Sequence, residues 1–179
     1  PKDSMSYVIF VATRCFDLNQ LSLFCFFRYF PYCSYDVPTT SAVSMISSNV
    51  YQETTHGVIV AVSPEYLTDH SDPDQSRYVW AYHVRIENCG ATPVQLLYRH
   101  WSIADGIGGK HDVVGDGVLG EQPTLAPGES YTYSSGTPLV TATGFMSGRF
   151  HMISAGGERF DIEVPAFSLD AFERPSALH

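Results

Sequence analysis

The chain has 179 residues, of which 44% are hydrophobic, so it is long enough for one globular domain with a real core and too short for two large domains. Lysine and arginine total 10 against 19 aspartate and glutamate residues, which gives a formal net charge of -9. Because no basic stripe is present to neutralise phosphates, this composition disfavours nucleic-acid binding.

Residues 1–44 differ in composition from the rest of the chain. Their basic and acidic side chains cancel, whereas the segment from Met45 onward carries the whole net charge and every histidine. Cys89 is the single cysteine of that later segment and has no disulfide partner within it, which favours a cytoplasmic setting. We interpret residues 1–44 as an amino-terminal extension that is disordered or not native to the domain. Since no apolar run reaches the ~18 residues of a membrane span, a membrane anchor or export signal is the less favoured alternative.

Strands are predicted from Tyr51 onward. The β-branched run GVIVAVSPEYL comes first, and the polar segment HSDPDQS is a turn-rich connection. In RYVWAYHVRIEN the hydrophobic residues alternate with a period of two, and one predicted face carries Tyr78, Trp80, Tyr82, Val84 and Ile86. The segment CGAT followed by Pro93 is predicted to be a hairpin-like turn.

The same alternation continues further along the chain. In VQLLYRHWSIAD it predicts one face with Leu97, Arg99, Trp101 and Ile103 and the opposite face with Val94, Leu96, Tyr98 and His100. Further strands are predicted at SYTYSS, GFMSGRFHMIS and RFDIEVP, and no segment has the pattern of a long amphipathic helix. Short strands between Gly, Pro and Asp turns predict an all-β, immunoglobulin/fibronectin type III-like antiparallel β-sandwich over residues 45–172, followed by a tail at 173–179.

The stretch GDGVLG matches the G-x-G-x-x-G pattern of dinucleotide-binding folds, with glycines at Gly115, Gly117 and Gly120. That pattern works when a helix follows it, but prolines at 123 and 127 interrupt the next segment. Asp116 and Glu121 also place carboxylates where a phosphate would lie. We expect the three glycines to supply positive φ angles in a bulge or a long loop between strands, and a phosphate-binding loop is the alternative.

Candidate catalytic and metal-binding residues are dispersed. The histidines form neither an H-E-x-x-H nor any other metal-ligand spacing, and no C-x-x-C is present, so we expect no metal and no cofactor. Ser134 and Ser135 precede a glycine but lack the strand-turn-helix setting of an activated nucleophile. The sequence therefore favours a protein that is not an enzyme.

The triplet RHW allows two interpretations. Arg99 and Trp101 share one predicted strand face, so Trp101 is expected to pack in the core with Arg99 capping or pairing at its edge. Alternatively, the pair is exposed and anchors a partner, since arginine and tryptophan are enriched at binding hot spots. Exposure of Trp101 decides between these interpretations.

Several segments together resemble the bacterial ApaG family over residues 50 to about 170. They are THGVIVAVSPEYL, RYVWAYHVRIENCG, LLYRHWSIADGIG, GDGVLGEQPTLAPGESYTYSSGTPL and GFMSGRFHMISAGGERFDIEVPAFSLD, in that order. The resemblance implies a fibronectin type III-like sandwich. Similar domains form the last part of certain eukaryotic F-box proteins and of a polymerase-interacting protein, where they are regarded as protein-interaction modules. The bacterial family is associated with cobalt resistance and magnesium efflux.

These observations predict a non-enzymatic domain that binds an unidentified protein partner and not nucleic acid, with no membrane contact expected. The interaction candidates are Arg99, Trp101, Asp116 and Glu121. Exposed strand edges also allow a homodimer. The alternative is a binder or hydrolase of phosphorylated nucleotides that uses the GDGVLG loop.

Overall fold

Nine strands and two short 3₁₀ turns make up the computed structural model, which describes residues 49–171. The strands are β1 (Tyr51–Thr55), β2 (Val58–Tyr66), β3 (Tyr78–Asn88), β4 (Val94–Asp105), β5 (Lys110–Asp116), β6 (Thr124–Leu125), β7 (Ser130–Leu139), β8 (Thr143–Ser154) and β9 (Arg159–Asp170). The 3₁₀ turns, Thr68–His70 and Pro73–Gln75, lie between β2 and β3, and the second lies within the predicted connection HSDPDQS. The predicted extension at 1–44 and tail at 173–179 lie outside the described residues.

The strands form two antiparallel sheets with the orders β1-β2-β3-β7 and β5-β4-β8-β9, and β6 lies beside the start of β4. The chain crosses between the sheets after β3, before β7 and after β7. Such crossings are typical of immunoglobulin-like and fibronectin-like sandwiches. The predicted all-β sandwich is confirmed.

The core lies between the two sheets and follows the predicted alternation in β3, where Trp80, Tyr82, Val84 and Ile86 are buried. Its centre is aromatic. The Trp101 ring lies 5.3 Å from Tyr82 and meets Phe150 and Phe167 edge to face at 5.9 and 6.1 Å. Edge-to-face contacts of this kind stabilise a core beyond the area they bury.

One prediction about β4 is wrong, because the strand does not keep a single alternation. Leu96 lies opposite Met152, but Tyr98 lies opposite the very next residue, His151, so Leu97 is an extra residue in a β-bulge. Before the bulge Val94 and Leu96 face the core, and after it the odd-numbered Trp101 and Ile103 do. A one-residue insertion exchanges the two faces, since the side-chain period of a strand is two.

The turn after β3 also differs from its predicted form. It is not a hairpin, because β3 and β4 belong to different sheets. The buried Asn88 holds the crossing in place: its Nδ2 donates to the carbonyls of Thr92 (2.9 Å) and Leu125 (3.0 Å), and its Oδ1 accepts from the Gly90 amide at 2.9 Å. A buried amide is tolerated here because its donors and acceptor are paired.

Candidate functional site

The glycine motif forms the end of β5 and a tight turn. Val118 and Glu121 exchange backbone hydrogen bonds of 2.8 and 3.0 Å around two central residues, Leu119 and Gly120, with φ angles of 52° and 78°. Two positive φ angles are the signature of a type I′ turn. Gly117 also has a positive φ, 55°, and a Cβ there would overlap the carbonyl oxygen of Glu121. The predicted positive φ is confirmed for Gly117 and Gly120.

Gly115 has a different role, and the positive φ predicted for it is wrong, because it lies in β5 opposite Arg99. The guanidinium of Arg99 packs against it, so that a Cβ at 115 would be 3.1 Å from Arg99 Nη1. The same Nη1 donates to the carbonyl oxygens of Gly117 (2.7 Å) and Asp116 (3.2 Å). Arg99 thus holds the loop against the strand.

Three backbone amides of this loop already donate to carbonyl groups of the protein. Gly117 N–H donates to the carbonyl of Leu97 at 2.8 Å, and the Val118 and Glu121 amides are used in the turn. A phosphate-binding loop instead directs such amides at its ligand from a helix N-terminus, whereas the two-residue strand β6 follows here. These amides are therefore not available to a pyrophosphate in this conformation.

The four interaction candidates do not form one surface. Trp101 is only 2% exposed, so its interpretation as an exposed anchor is wrong and its packing in the core is what the structure shows. Arg99 donates to carbonyl oxygens of the glycine loop. Asp116 and Glu121 are exposed, and Glu121 Oε2 accepts a hydrogen bond of 3.1 Å from the Tyr131 hydroxyl.

A second region was not predicted from the sequence. An open groove of about 450 Å³ lies where β4, β8 and β9 meet the β1–β2 turn. It is lined by His56, Leu97, Tyr98, His151, Met152, Arg159, Phe160 and Asp161. We call it the Tyr98 groove.

The Tyr98 groove is organised around three residues that lie side by side on neighbouring strands. The β4 bulge brings Tyr98 to the outer face opposite His151, and the two rings stack with centroids 4.0 Å apart at 26°. Asp161 lies opposite His151 on β9 and its Oδ1 is hydrogen-bonded to His151 Nδ1. Arg149 Nη1 lies 3.9 Å from the other oxygen of Asp161. Tyr98 is 37% exposed, so His151 supports one face of its ring while part of the residue stays open to solvent.

The groove wall beside β9 is also aromatic. The His56 ring meets Phe160 edge to face at 5.4 Å, and His56 itself has a positive φ of 51° in the β1–β2 turn. The residues of the Tyr98 groove come from separate segments of the sequence and share no motif. Predicting the groove would have required knowledge of how the strands pair.

A Ser–His–Glu chain lies on the outer face of the other sheet. Ser134 Oγ is 2.7 Å from His83 Nδ1, and His83 Nε2 is 3.2 Å from Glu65 Oε2. The adjoining depression is lined by residues of β2, β3 and β7 together with Val50, so strand surface and not an amide-bearing turn surrounds the hydroxyl. The three residues have the hydrogen-bond order of a Ser–His–acid triad, but the side chains of His83 and Glu65 are 49% and 62% exposed, whereas the acid of a catalytic triad is buried.

Within residues 49–171, no group of three or more His, Cys, Asp or Glu side chains could hold a metal ion. No helix in this part of the chain is long and apolar enough to cross a membrane.

Known proteins similar to this chain point to one family. The family model described as the ApaG domain matches residues 68–154. The protein ApaG of Rhodospirillum centenum is 53% identical over 122 residues, which cover 68% of this chain and 94% of that protein. The chain belongs to the ApaG family. Protein ApaG of Bradyrhizobium diazoefficiens is 49% identical over 130 residues, which cover 73% of this chain and 100% of that protein.

A solved structure agrees with this assignment. The putative ApaA protein from Bordetella pertussis superposes with a TM-score of 0.64 at 44% sequence identity, covering 65% of this chain and 95% of that protein. In the ApaG domain described here, the family match includes the glycine loop, Tyr98 and His151. His56, Phe160 and Asp161 lie beyond it and complete the groove.

Proposed function

We propose that this ApaG domain is a non-enzymatic module that binds a protein partner through the Tyr98 groove. The observation that carries the proposal is the stack of Tyr98 on His151, which is itself hydrogen-bonded to Asp161, in an open groove. Tyrosine and arginine are enriched among the residues that dominate binding energy.

Pre-ordering makes Tyr98 a suitable anchor. A side chain already held by a stacked neighbour loses little rotational freedom when a partner covers it, so less of the contact energy is lost on binding. Arg149 and Arg159 lie beside the aromatic residues and are exposed, which gives the groove a polar rim around an aromatic centre.

The openness of the groove favours binding over chemistry. Catalytic sites generally exclude water from the reacting atoms, because this strengthens their electrostatic interactions. A shallow groove on a strand surface instead suits a segment of another protein. A cytoplasmic partner engaged in this way would make any link to cobalt or magnesium handling indirect.

The proposal is tested by comparing two substitutions of exposed side chains. Tyr98→Ala is expected to weaken a saturable complex with a co-purified partner about 30-fold, as the loss of a hot-spot residue does. Ile107→Ala serves as the matched control, since Ile107 is 79% exposed in the β4–β5 turn and does not line the groove. Both affinities are measured by calorimetry with the purified partner.

Equal affinities of the two variants would contradict the groove as the binding site, and the absence of any specific partner under several growth conditions would contradict the module. The nucleotide alternative is separated by titrating the chain with ATP, GTP and diadenosine polyphosphates. Heat of saturable binding at millimolar ligand would favour that alternative.

A further inference from the structure

Strand β5 forms one edge of its sheet, and no strand within residues 49–171 pairs with its outer side. The hydrogen bonds at both ends of the β4–β5 ladder fix which residues face outward. Asp105 N–H donates to Gly109 O at 2.9 Å, and Gly117 N–H donates to Leu97 O at 2.8 Å. The backbone groups of the odd-numbered residues of β5 therefore bond β4. Because antiparallel pairs alternate, the backbone groups of the even-numbered residues of β5 point to the open side.

The same even-numbered residues carry exposed side chains. They are Lys110, Asp112, Val114 and Asp116, and Val114 is 65% exposed. The row contains one basic residue at the beginning of the strand and acidic residues at its middle and end. Open edges of this kind readily pair with another strand unless their charges oppose it.

We propose that β5 pairs with β5 of a second copy of this chain in an antiparallel arrangement centred on Val113. This register places Lys110 opposite Asp116 of the other copy, twice by symmetry, and Asp112 opposite Val114. The Asp112 and Val114 backbones exchange four hydrogen bonds across the two-fold axis. The Asp116 carbonyl already accepts from Arg99, so that residue contributes mainly through its side-chain charge.

Charge selects this register over its neighbours. A pairing centred on Asp112 sets that carboxylate against its own copy, and one centred on Val114 sets Asp112 against Asp116. Like charges directly opposite one another destabilise a strand pair, whereas opposite charges stabilise it. Of these three neighbouring registers, only the one centred on Val113 avoids both conflicts.

The other edges are less suited to self-pairing. In β7 the hydrogen bond from Asn88 N–H to Glu129 O shows that the odd-numbered residues bond β3, so the even-numbered residues face outward. One of these is Pro138, which has no N–H to donate to a second strand. At the opposite side of the sandwich, β1 is attached to β9 through a Tyr51–Ser168 hydrogen bond of 2.9 Å. The self-pairing of β5 joins two five-stranded sheets into one continuous sheet, with both Tyr98 grooves on the same side.

The dimer is tested by sedimentation equilibrium on the full chain at low salt. The wild type is expected to dimerise with rising concentration, and Lys110→Asp or Asp116→Lys alone should weaken dimerisation about tenfold. The double variant Lys110→Asp/Asp116→Lys should recover to within about threefold of the wild type. The two positions are six residues apart in one strand, about 20 Å, so this rescue cannot arise within one copy.

A second variant tests the backbone contact. Val114→Pro removes an outward N–H and leaves the β4 ladder intact, so it should abolish the dimer while its far-UV circular dichroism stays that of the wild type. Phe145→Ser, an exposed residue away from this edge, should dimerise like the wild type. A wild type that is monomeric at every concentration, a double variant no better than the single ones, or a folded Val114→Pro dimer would each overturn the proposal.

Discussion

The two faces of β4 differ in what they do for the molecule. On the inner face Trp101 is 2% exposed and lies among three aromatic rings, whereas on the outer face Tyr98 is 37% exposed and stacks on one. Tyr98 and Trp101 are three positions apart, so they would lie on opposite faces of an uninterrupted strand as well. The bulge at Leu97 decides which of the two faces inward. The inner face therefore governs stability and the outer face is free to serve recognition.

The largest expected effect tests this division of roles directly. Trp101→Ala removes the central ring of the core and should lower the free energy of unfolding by about 4 kcal/mol. Phe145→Ala, on the outer face and 63% exposed, should change it by no more than about 0.5 kcal/mol. Urea denaturation followed by tryptophan fluorescence and circular dichroism measures both.

Similar losses for the two variants would mean that the outer face also holds the fold, and the contrast between the faces would disappear. The slope of unfolding free energy against urea should be unchanged in both, since a changed slope indicates altered compactness of one of the states.

The contrast also explains what the sequence could and could not predict. The alternation of hydrophobic residues identified the buried face of β3 correctly, because that strand is uninterrupted. In β4 the alternation gave the wrong buried face before the bulge at Leu97. The Leu97 carbonyl accepts hydrogen bonds from Gly117 N–H at 2.8 Å and Gln122 Nε2 at 2.6 Å. These partners lie 20 or more residues away in the chain, so local pattern holds no sign of the bulge.

The candidate site was less accessible to sequence reasoning than the fold. GDGVLG is contiguous and matches a known pattern, so it drew attention, yet its glycines serve backbone geometry and the packing of Arg99. Tyr98, His151 and Asp161 are dispersed and become neighbours only when β4, β8 and β9 pair. A site made by strand register leaves no local motif.

The second prediction separates two glycines of that loop. Gly117→Ala should cost about 3 kcal/mol, because the residue needs a positive φ and its Cβ would overlap the Glu121 carbonyl. Gly120→Ala should cost only about 1 kcal/mol, because it has a positive φ of 78° but no atom within 4 Å of an added Cβ. Thermal unfolding of the two variants compares them. Equal costs would show that steric contact at Gly117 does not matter and would weaken the structural explanation of the motif.

The smallest expected effect at neutral pH concerns a hydroxyl on the inner side of the sandwich. Tyr133 is buried and its hydroxyl oxygen makes no hydrogen bond of good geometry within the described part of the chain, although the Trp101 side chain lies near enough to favour the charged form. Burial outweighs this effect and raises the pKa of Tyr133 well above its ordinary value of 10.0. In the unfolded chain this phenol ionises near pH 10. Between that pH and the higher folded-state pKa the native domain binds the extra proton, so stability that is present below pH 10 is lost as pH rises.

Tyr133→Phe removes both the unpaired hydroxyl and this titration. At pH 7 the variant should equal or exceed the wild type in stability by up to about 1 kcal/mol, since an unsatisfied buried group is no longer desolvated. Above pH 10 its advantage should grow by about 1.4 kcal/mol per pH unit until the folded-state pKa is reached. Urea denaturation at several alkaline pH values measures this difference. A pH-independent difference would mean that Tyr133 ionises as readily in the folded domain as in the unfolded chain, which would contradict its place on the dry inner face.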